Sequence, residues 1–323
     1  MTNCTHCPRI SVIMSVYNGA VHLREAVDSI LAQSFTDFEF IIVDDASTDT
    51  TPSILASYAK NDLRVRILTN TVNRERSYSR NLAIREAKAP LVAIMDADDC
   101  ANPTRLAKQY EYMQLHSEIA VLGGAIECFE QVTGILRWPE HHDCIVAQLL
   151  FANSVAHPTV MARKNVLMEG YDIKYPSSED YELWSRLAFE KNVRFANLAD
   201  VILRYRVVIK NGNRDFHYKV ALSNLRSLNI VPSARQEDLH KMLCFESYET
   251  ILRLYTPQEV VNWFFVIYEA SKSCNNINSA YVLKMLLPRI VNVLKLTSWK
   301  DAVSCLTFSR ILNCLHSYVT CRS

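Results

Sequence analysis

The chain has 323 residues, 49% of them apolar and 21% charged, with 35 Lys and Arg against 34 Asp and Glu. Those fractions exclude disorder as the main state, and a net charge of +1 leaves no global attraction to nucleic acid. Six glycines argue against a site built on a glycine-rich loop.

Residues 1–9 read as an N-terminal tail. Cys4 and Cys7 flank His6, but a structural zinc site wants about four ligands and no second pair follows, so free thiols are the better reading. The polar start lacks the apolar core of a signal peptide. That fits a cytoplasmic protein whose ten cysteines stay reduced.

Residues 10–16 predict the first strand. Leu23, Ala26, Val27, Ile30 and Leu31 then form one stripe of a helix over 22–33. Residues 38–43 predict a second strand, and Thr48 and Asp49 cap a helix that runs to about 59. Strands over 65–68 and 91–95 follow, separated by a helix over 77–88. Pro103 stands where a helix to about 116 begins. Strands alternating with helices of 10–15 residues imply crossover connections and a mainly parallel sheet. Further strands are expected at 119–126, 158–161 and 201–208, and helices at 141–152 and 178–190. Beyond about 212 helical periodicity dominates, interrupted by Pro232, Pro257 and Pro288. The expected architecture is therefore an α/β domain over 10–210 followed by a smaller helical domain over 211–323. The longest apolar stretch, 260–268, is too short to cross a bilayer. Residues 281–323 form a basic amphipathic tail. Such a tail can lie on an anionic membrane, although a helix packed on its own domain is the favoured alternative.

Short polar segments follow the strands. The first strand ends in Tyr17 and Asn18, the second in Asp44 and Asp45, and the fourth in Asp96, Asp98 and Asp99. A helix start carries Glu179 and Asp180. In open parallel sheets ligands bind at the C-terminal edge of the strands, so these groups converge on one crevice. Gathered carboxylates repel unless a positive group sits among them, and all-oxygen ligands select Mg²⁺, Mn²⁺ or Ca²⁺ over zinc. Neither GxGxxG nor a P-loop is present, so a bound phosphate would be neutralised through a cation on Asp98 and Asp99. The pattern points to a nucleoside diphosphate held through a metal.

The ordered set SVIMSVYNGAVHLREAVDSILAQSF, FIIVDDASTDTT, SRN, MDADD, HPTVMARK and SSEDYELWSRLA resembles family 2 glycosyltransferases of the GT-A fold over roughly the first 205 residues. The resemblance implies an inverting, Mn²⁺- or Mg²⁺-dependent transfer of one sugar from a nucleotide sugar, with UDP-sugars favoured. The acceptor it implies is a saccharide or lipid-linked saccharide of the cell surface. Tyr17 matches the aromatic that packs against the base, and Asp44 and Asp45 match the pair that reads base or ribose. Arg80 matches the basic residue beside the nucleotide. Asp96, Asp98 and Asp99 match the DxD-type motif, of which Asp98 and Asp99 would hold the metal. Asp180 matches the catalytic base, with Glu179 as the fallback. His157, held extended ahead of Pro158, would face the acceptor or diphosphate, or else be a satisfied structural histidine. Local alternatives stand beside these roles: Asp44 and Asp45 also fit helix capping, and Ser177 through Asp180 fit a capping box. The family often has Gly where Ala46 and Ala83 stand, and a small residue where Tyr78 stands. The QxxRW motif of polymerising members is absent. A metal-dependent nucleotidyltransferase and a silent nucleotide-sugar-binding module are the competing functions.

Overall fold

The computed structural model describes residues 7–208 and 214–298. Cys4, His6 and the segment 299–323 of the basic tail lie outside them; the Cys7 thiol is exposed and donates to the Lys88 carbonyl.

Contacts divide the chain into two units. One comprises 1–141, 155–184 and 193–212; the other comprises 142–154, 185–192 and 213–323. The helical unit thus takes in two short stretches from before residue 210, 142–154 and 185–192, which a single division near 210 leaves with the α/β domain.

The first unit is built on a sheet of nine strands among the described residues. Its core strands are β1 (Ile10–Val16), β2 (Phe38–Asp44), β3 (Val65–Thr69) and β4 (Leu91–Asp96), all parallel. Every residue of β2 is buried, as befits a strand covered on both faces. The remaining strands are β5 (Cys100–Ala101), β6 (Val121–Glu130), β7 (Gly134–Leu136), β8 (Met161–Arg163) and β9 (Phe195–Val207), and the order is β3-β2-β1-β4-β8-β6-β9-β5, with β7 paired to β6. From β1 the chain winds outward to β2 and β3, then returns to lay β4 on the other side of β1. The strand order therefore reverses between β1 and β4, which opens a crevice at their C-terminal ends.

The crossovers are α1 (Leu23–Leu31), α2 (Thr51–Asn61) and α3 (Glu75–Glu86), followed by α4 (Arg105–Leu115). In α1 the expected stripe is buried at Leu23, Ala26, Val27 and Ile30. Helix α2 begins two residues later than Asp49. Thr48 is held by Asn18, whose Oδ1 accepts its N–H at 2.8 Å, and the Asp49 carboxylate accepts from Thr51 and Ala20 N–H groups. These bonds keep 45–50 as a loop tied to the end of β1.

His157 does not begin a strand. Residues His157–Thr159 form one 3-10 turn with Pro158 in its first positions, and the extended residue is Ala156. The Thr159 hydroxyl donates to the Ala156 carbonyl at 2.6 Å, closing the turn, and the strand β8 starts only at Met161. Strand β9 starts at Phe195 rather than near 201, because its first residues already pair with β6 across a bulge.

The second unit is helical. It includes α5 (His142–Leu149), while α6 (Lys164–Leu167) belongs to the first unit and α7 (Glu179–Phe189) is shared between them. The later helices are α8 (Asp215–Ser227), α9 (Ala234–Phe245), α10 (Tyr248–Ile251), α11 (Pro257–Ser271) and α12 (Ser279–Lys295). Pro257 opens α11 behind a Thr256–Glu259 capping box, whereas Pro288 lies inside α12 without ending it. Helix α12 buries Val282, Leu283, Leu286, Ile290 and Val293, so over its length the apolar face of the basic tail is covered by protein. Among the described residues no helix is long and apolar enough to cross a membrane.

Buried His240 anchors this unit. Its Nδ1 accepts from the Trp263 indole at 3.2 Å and its Nε2 donates to the Leu150 carbonyl at 3.0 Å. Burial pushes its pKa down to about 4 from the ordinary 6.5. The unfolded chain therefore takes up this proton first as pH falls. The stability contribution is complete above pH 6.5 and is lost as pH approaches 4, a total on the order of 3 kcal/mol. Acid titration followed by Trp fluorescence is expected to show this loss, and His240→Phe is expected to flatten it.

Candidate active site

The site lies within the first unit, at the C-terminal edge of the parallel strands. β1 ends beside β2 and β4, with Val16 in register with Asp44 and Ser15 with Asp96. Tyr17 follows β1 and is half exposed. Asn18 adopts φ 50°, and its amide N–H donates to the Ser47 hydroxyl, so the turns after β1 and β2 brace each other.

Asp44 and Asp45 are both buried but serve different neighbours. Asp44 Oδ1 accepts from the Ser47 N–H at 3.1 Å, and Asp44 lines a cleft of about 810 Å³ together with Ser47, Pro52 and Thr69. Asp45 Oδ1 accepts from Asn70 Nδ2 at 2.6 Å and from the Arg74 N–H at 2.9 Å, on the loop between β3 and α3. Ala46 between this pair and Ser47 has φ 64°, the left-handed region that glycine enters without strain. The resemblance's glycine at this position has a conformational reason, which Ala46 meets at some cost.

The acidic turn after β4 is organised by three arginines. Arg80 is buried, donating from Nη2 to Asp96 Oδ1 and from Nη1 to Glu179 Oε1, both at 2.8 Å. Asp96 Oδ2 lies 3.8 Å from His157 Nδ1. Burial works against the Asp96 charge, but Arg80 and then His157 outweigh it and hold the carboxyl well below its ordinary range. Asp98 is exposed to the crevice. Desolvation there, and then repulsion by Asp96, raise its pKa. Asp99 is buried, with Oδ1 accepting the Arg206 N–H at 2.8 Å and Oδ2 lacking a hydrogen-bond partner. Burial, then Asp96 and Asp98, push it up to about 8 against the pull of the Arg206 N–H and of Arg105, which is fully buried.

Helix α7 brings the second carboxylate pair. Ser178 just before it has φ 61°, a left-handed backbone at the entrance to the helix. Glu179 is buried and committed to Arg80, with Arg76 a further 3.7 Å away. Asp180 is half-buried; its Oδ1 accepts the Tyr181 N–H at 2.8 Å. Burial raises the Asp180 pKa and so does Glu179, while His157 and Arg80 pull the other way. A carboxylate of raised pKa is a stronger proton acceptor than a solvated one. His157 itself is buried, with Nε2 2.9 Å from the Tyr171 hydroxyl.

Three contributors lie outside the sequence reading. Tyr171 and Arg206 are described above, and the half-buried Tyr205 has its pKa raised by burial and by Asp96, Asp99, Asp98 and Asp180. Local alternation carries no signal for Arg206: on its register Ile202 is buried and Arg204 exposed, so its burial is set by tertiary packing.

Among the described residues no group of three or more His, Cys, Asp or Glu forms a ready-made metal cage. A hard cation that shares its shell with substrate phosphates needs only one or two carboxylates. Exposed Asp98 and the unpartnered Oδ2 of Asp99, in a turn where like charges repel, fit that demand.

Residues 11–165 match the model of glycosyl transferase family 2. The chain is 35% identical over 226 residues to the O-antigen biosynthesis glycosyltransferase WbnJ of Escherichia coli, covering 67% of this chain and 87% of that one. It is 26% identical over 241 residues to WfaP of Escherichia coli, a UDP-Glc:α-D-GlcNAc-diphosphoundecaprenol β-1,3-glucosyltransferase, covering 74% and 92%. In structure it resembles residues 1–349 of TarS of S. aureus in complex with UDP, with a TM-score of 0.59 at 18% identity over 92% of this chain and 88% of that one. It also resembles the mannosyltransferase PcManGT of Pyrobaculum calidifontis in complex with GDP-Man and Mn²⁺, with a TM-score of 0.54 at 19% identity over 98% and 88%. The fold is the GT-A fold, and the nucleotidyltransferase alternative falls away. The chain belongs to glycosyl transferase family 2 and is a glycosyltransferase.

Proposed function

We propose that this enzyme transfers a single sugar, with inversion, from a nucleoside-diphosphate sugar to a hydroxyl of a lipid-linked saccharide in cell-surface polysaccharide synthesis. The observation that carries the reading is the Arg80 bridge. One guanidinium bonds both Asp96, in the acidic turn, and Glu179, next to Asp180, so the donor-binding turn and the base share one crevice. The lipid-linked acceptor in the name of WfaP supports the acceptor class, and the O-antigen role in the name of WbnJ supports cell-surface polysaccharide synthesis. The UDP complex of TarS supports a UDP-sugar, and the GDP-Man complex of PcManGT marks the other nucleotide to test.

Tyr17 offers an exposed ring for the base, and Asp45, fixed by Asn70 and Arg74, is the carboxylate placed to read base or ribose. Asp44 holds the turn beneath them. Asp98 and Asp99 would hold Mn²⁺ or Mg²⁺, which when bound neutralises charge on the departing diphosphate. Asp180 takes the proton from the acceptor hydroxyl as its oxygen attacks the anomeric carbon. The His157 pair with Asp96 and Tyr171 keeps the floor of the crevice ordered.

A thermal-shift panel of nucleotide sugars with and without Mn²⁺ tests the donor. A UDP-sugar near 100 times its Kd is expected to stabilise the protein by about 2.7 kcal/mol, and more with Mn²⁺ than without. A panel in which no nucleotide sugar moves the transition overturns the donor assignment.

A further inference from the structure

We propose that Arg206 is a positioning residue that locks the Asp98–Asp99 turn in its cation-binding conformation; the inference rests on the reading above and deepens it. Arg206 meets this turn in two ways. Its backbone N–H donates to Asp99 Oδ1, and its side-chain Nε donates to the Asp98 carbonyl, each at 2.8 Å. The other end of the guanidinium is held by Glu25 of α1 at 2.6 Å and by Glu130 at the end of β6. Its plane lies over the Phe129 ring, 4.5 Å from the centroid. The Arg206 side chain is only 4% exposed, whereas those of Glu25 and Glu130 are about half exposed, at 53% and 43%.

The turn needs such a lock. Asp96, Asp98 and Asp99 lie within four residues, and gathered carboxylates of like charge repel one another. The arrangement costs energy that relaxation of the turn would relieve. Downstream, the two residues of β5 pair antiparallel with β9, Cys100 with Arg204 and Ala101 with Leu203. Two residues are a short anchor. Arg206 extends it upstream by bonding the Asp98 carbonyl, and Glu25 and Glu130 restrain its guanidinium from two other elements. Asp98 would have to keep its carboxylate in the crevice to hold a cation while its carbonyl accepts from Arg206, a constraint that packing alone does not impose.

The test compares Arg206→Ala and Arg206→Lys with the wild-type chain by Mn²⁺ electron paramagnetic resonance, titrating free Mn²⁺ in the presence of UDP or GDP. The backbone bond to Asp99 survives both changes, so the experiment isolates the guanidinium. Groups that orient metal ligands are typically worth 10–100-fold in metal affinity. Arg206→Ala is expected to weaken Mn²⁺ binding by about tenfold or more. Arg206→Lys, which retains charge between Glu25 and Glu130 without the Nε donor, is expected to recover only part of that loss. UDP binding without Mn²⁺ is expected to change less than Mn²⁺ binding does. A folded Arg206→Ala protein that binds Mn²⁺ as the wild type does overturns the proposal. If Arg206→Ala fails to fold, the Glu25→Gln, Glu130→Gln double variant decides. Weakened Mn²⁺ binding there supports the lock, and unchanged binding overturns it. A wild-type chain that binds no Mn²⁺ with either nucleotide defeats the metal-dependent reading itself, a different outcome from wild-type and variant chains binding alike.

Discussion

Asp180→Asn is expected to lower kcat by about 10²–10⁴-fold while leaving nucleotide-sugar binding within a few-fold of wild type. The substitution keeps the shape and an oxygen that can receive the Tyr181 N–H, and it removes the negative charge and with it the capacity to take a proton. Steady-state transfer assays with isothermal titration of the donor separate the two effects. The same experiment on Glu179→Gln distinguishes the neighbours. Glu179 is bonded to Arg80 and buried, so its loss is expected to lower stability first, with the rate following. An Asp180→Asn enzyme of undiminished rate removes Asp180 from the role.

Arg80→Met is expected to destabilise the protein by about 3–5 kcal/mol, the usual consequence of removing one partner from a buried ion pair. It strands two carboxylates, Asp96 and Glu179, whose side chains are 27% and 6% exposed. A fall in Tm on the order of 10 °C at pH 7 follows. The pH dependence identifies the cause. Asp96 is held below its ordinary pKa, so its pairing contributes stability above about pH 4, which is lost as pH falls toward the depressed value. The penalty of Arg80→Met is therefore expected to be largest at neutral pH and to shrink near pH 4, where Asp96 in the variant takes up its proton. A packing defect alone would persist across that range. Activity is expected to fall with stability, because Arg80 spans the acidic turn and the start of α7.

The reading of Arg80 shows how tertiary structure refines a motif. The resemblance puts Arg80 beside the nucleotide. Its two bonded partners, however, are carboxylates of the protein, one 16 and one 99 residues away. The short strand spacing after β4 hides β5 for a related reason. Two residues carry no periodicity, and β5 exists only because β9 lies alongside it. Likewise Pro158 announces a restricted backbone, but whether a strand or a 3-10 turn results depends on Thr159, whose hydroxyl bonds the Ala156 carbonyl while accepting from the Gly124 N–H.

By itself the sequence determined the α/β class, the family and the sheet edge to which its acidic residues come. Apolar runs such as 10–16, 38–43 and 91–95 must be buried in a sheet, and parallel winding brings the polar residues after them to the same side. Only the tertiary structure decided which carboxylates of that edge hold a turn, as Asp44 does, which answer an arginine, as Asp96 and Glu179 do, and which face the crevice, as Asp98 does. Periodicity records which side of its own element a residue occupies. The partner it meets there, as with Asp98 and Arg206 at a separation of 108 residues, is set by how distant elements pack, and that information is not local.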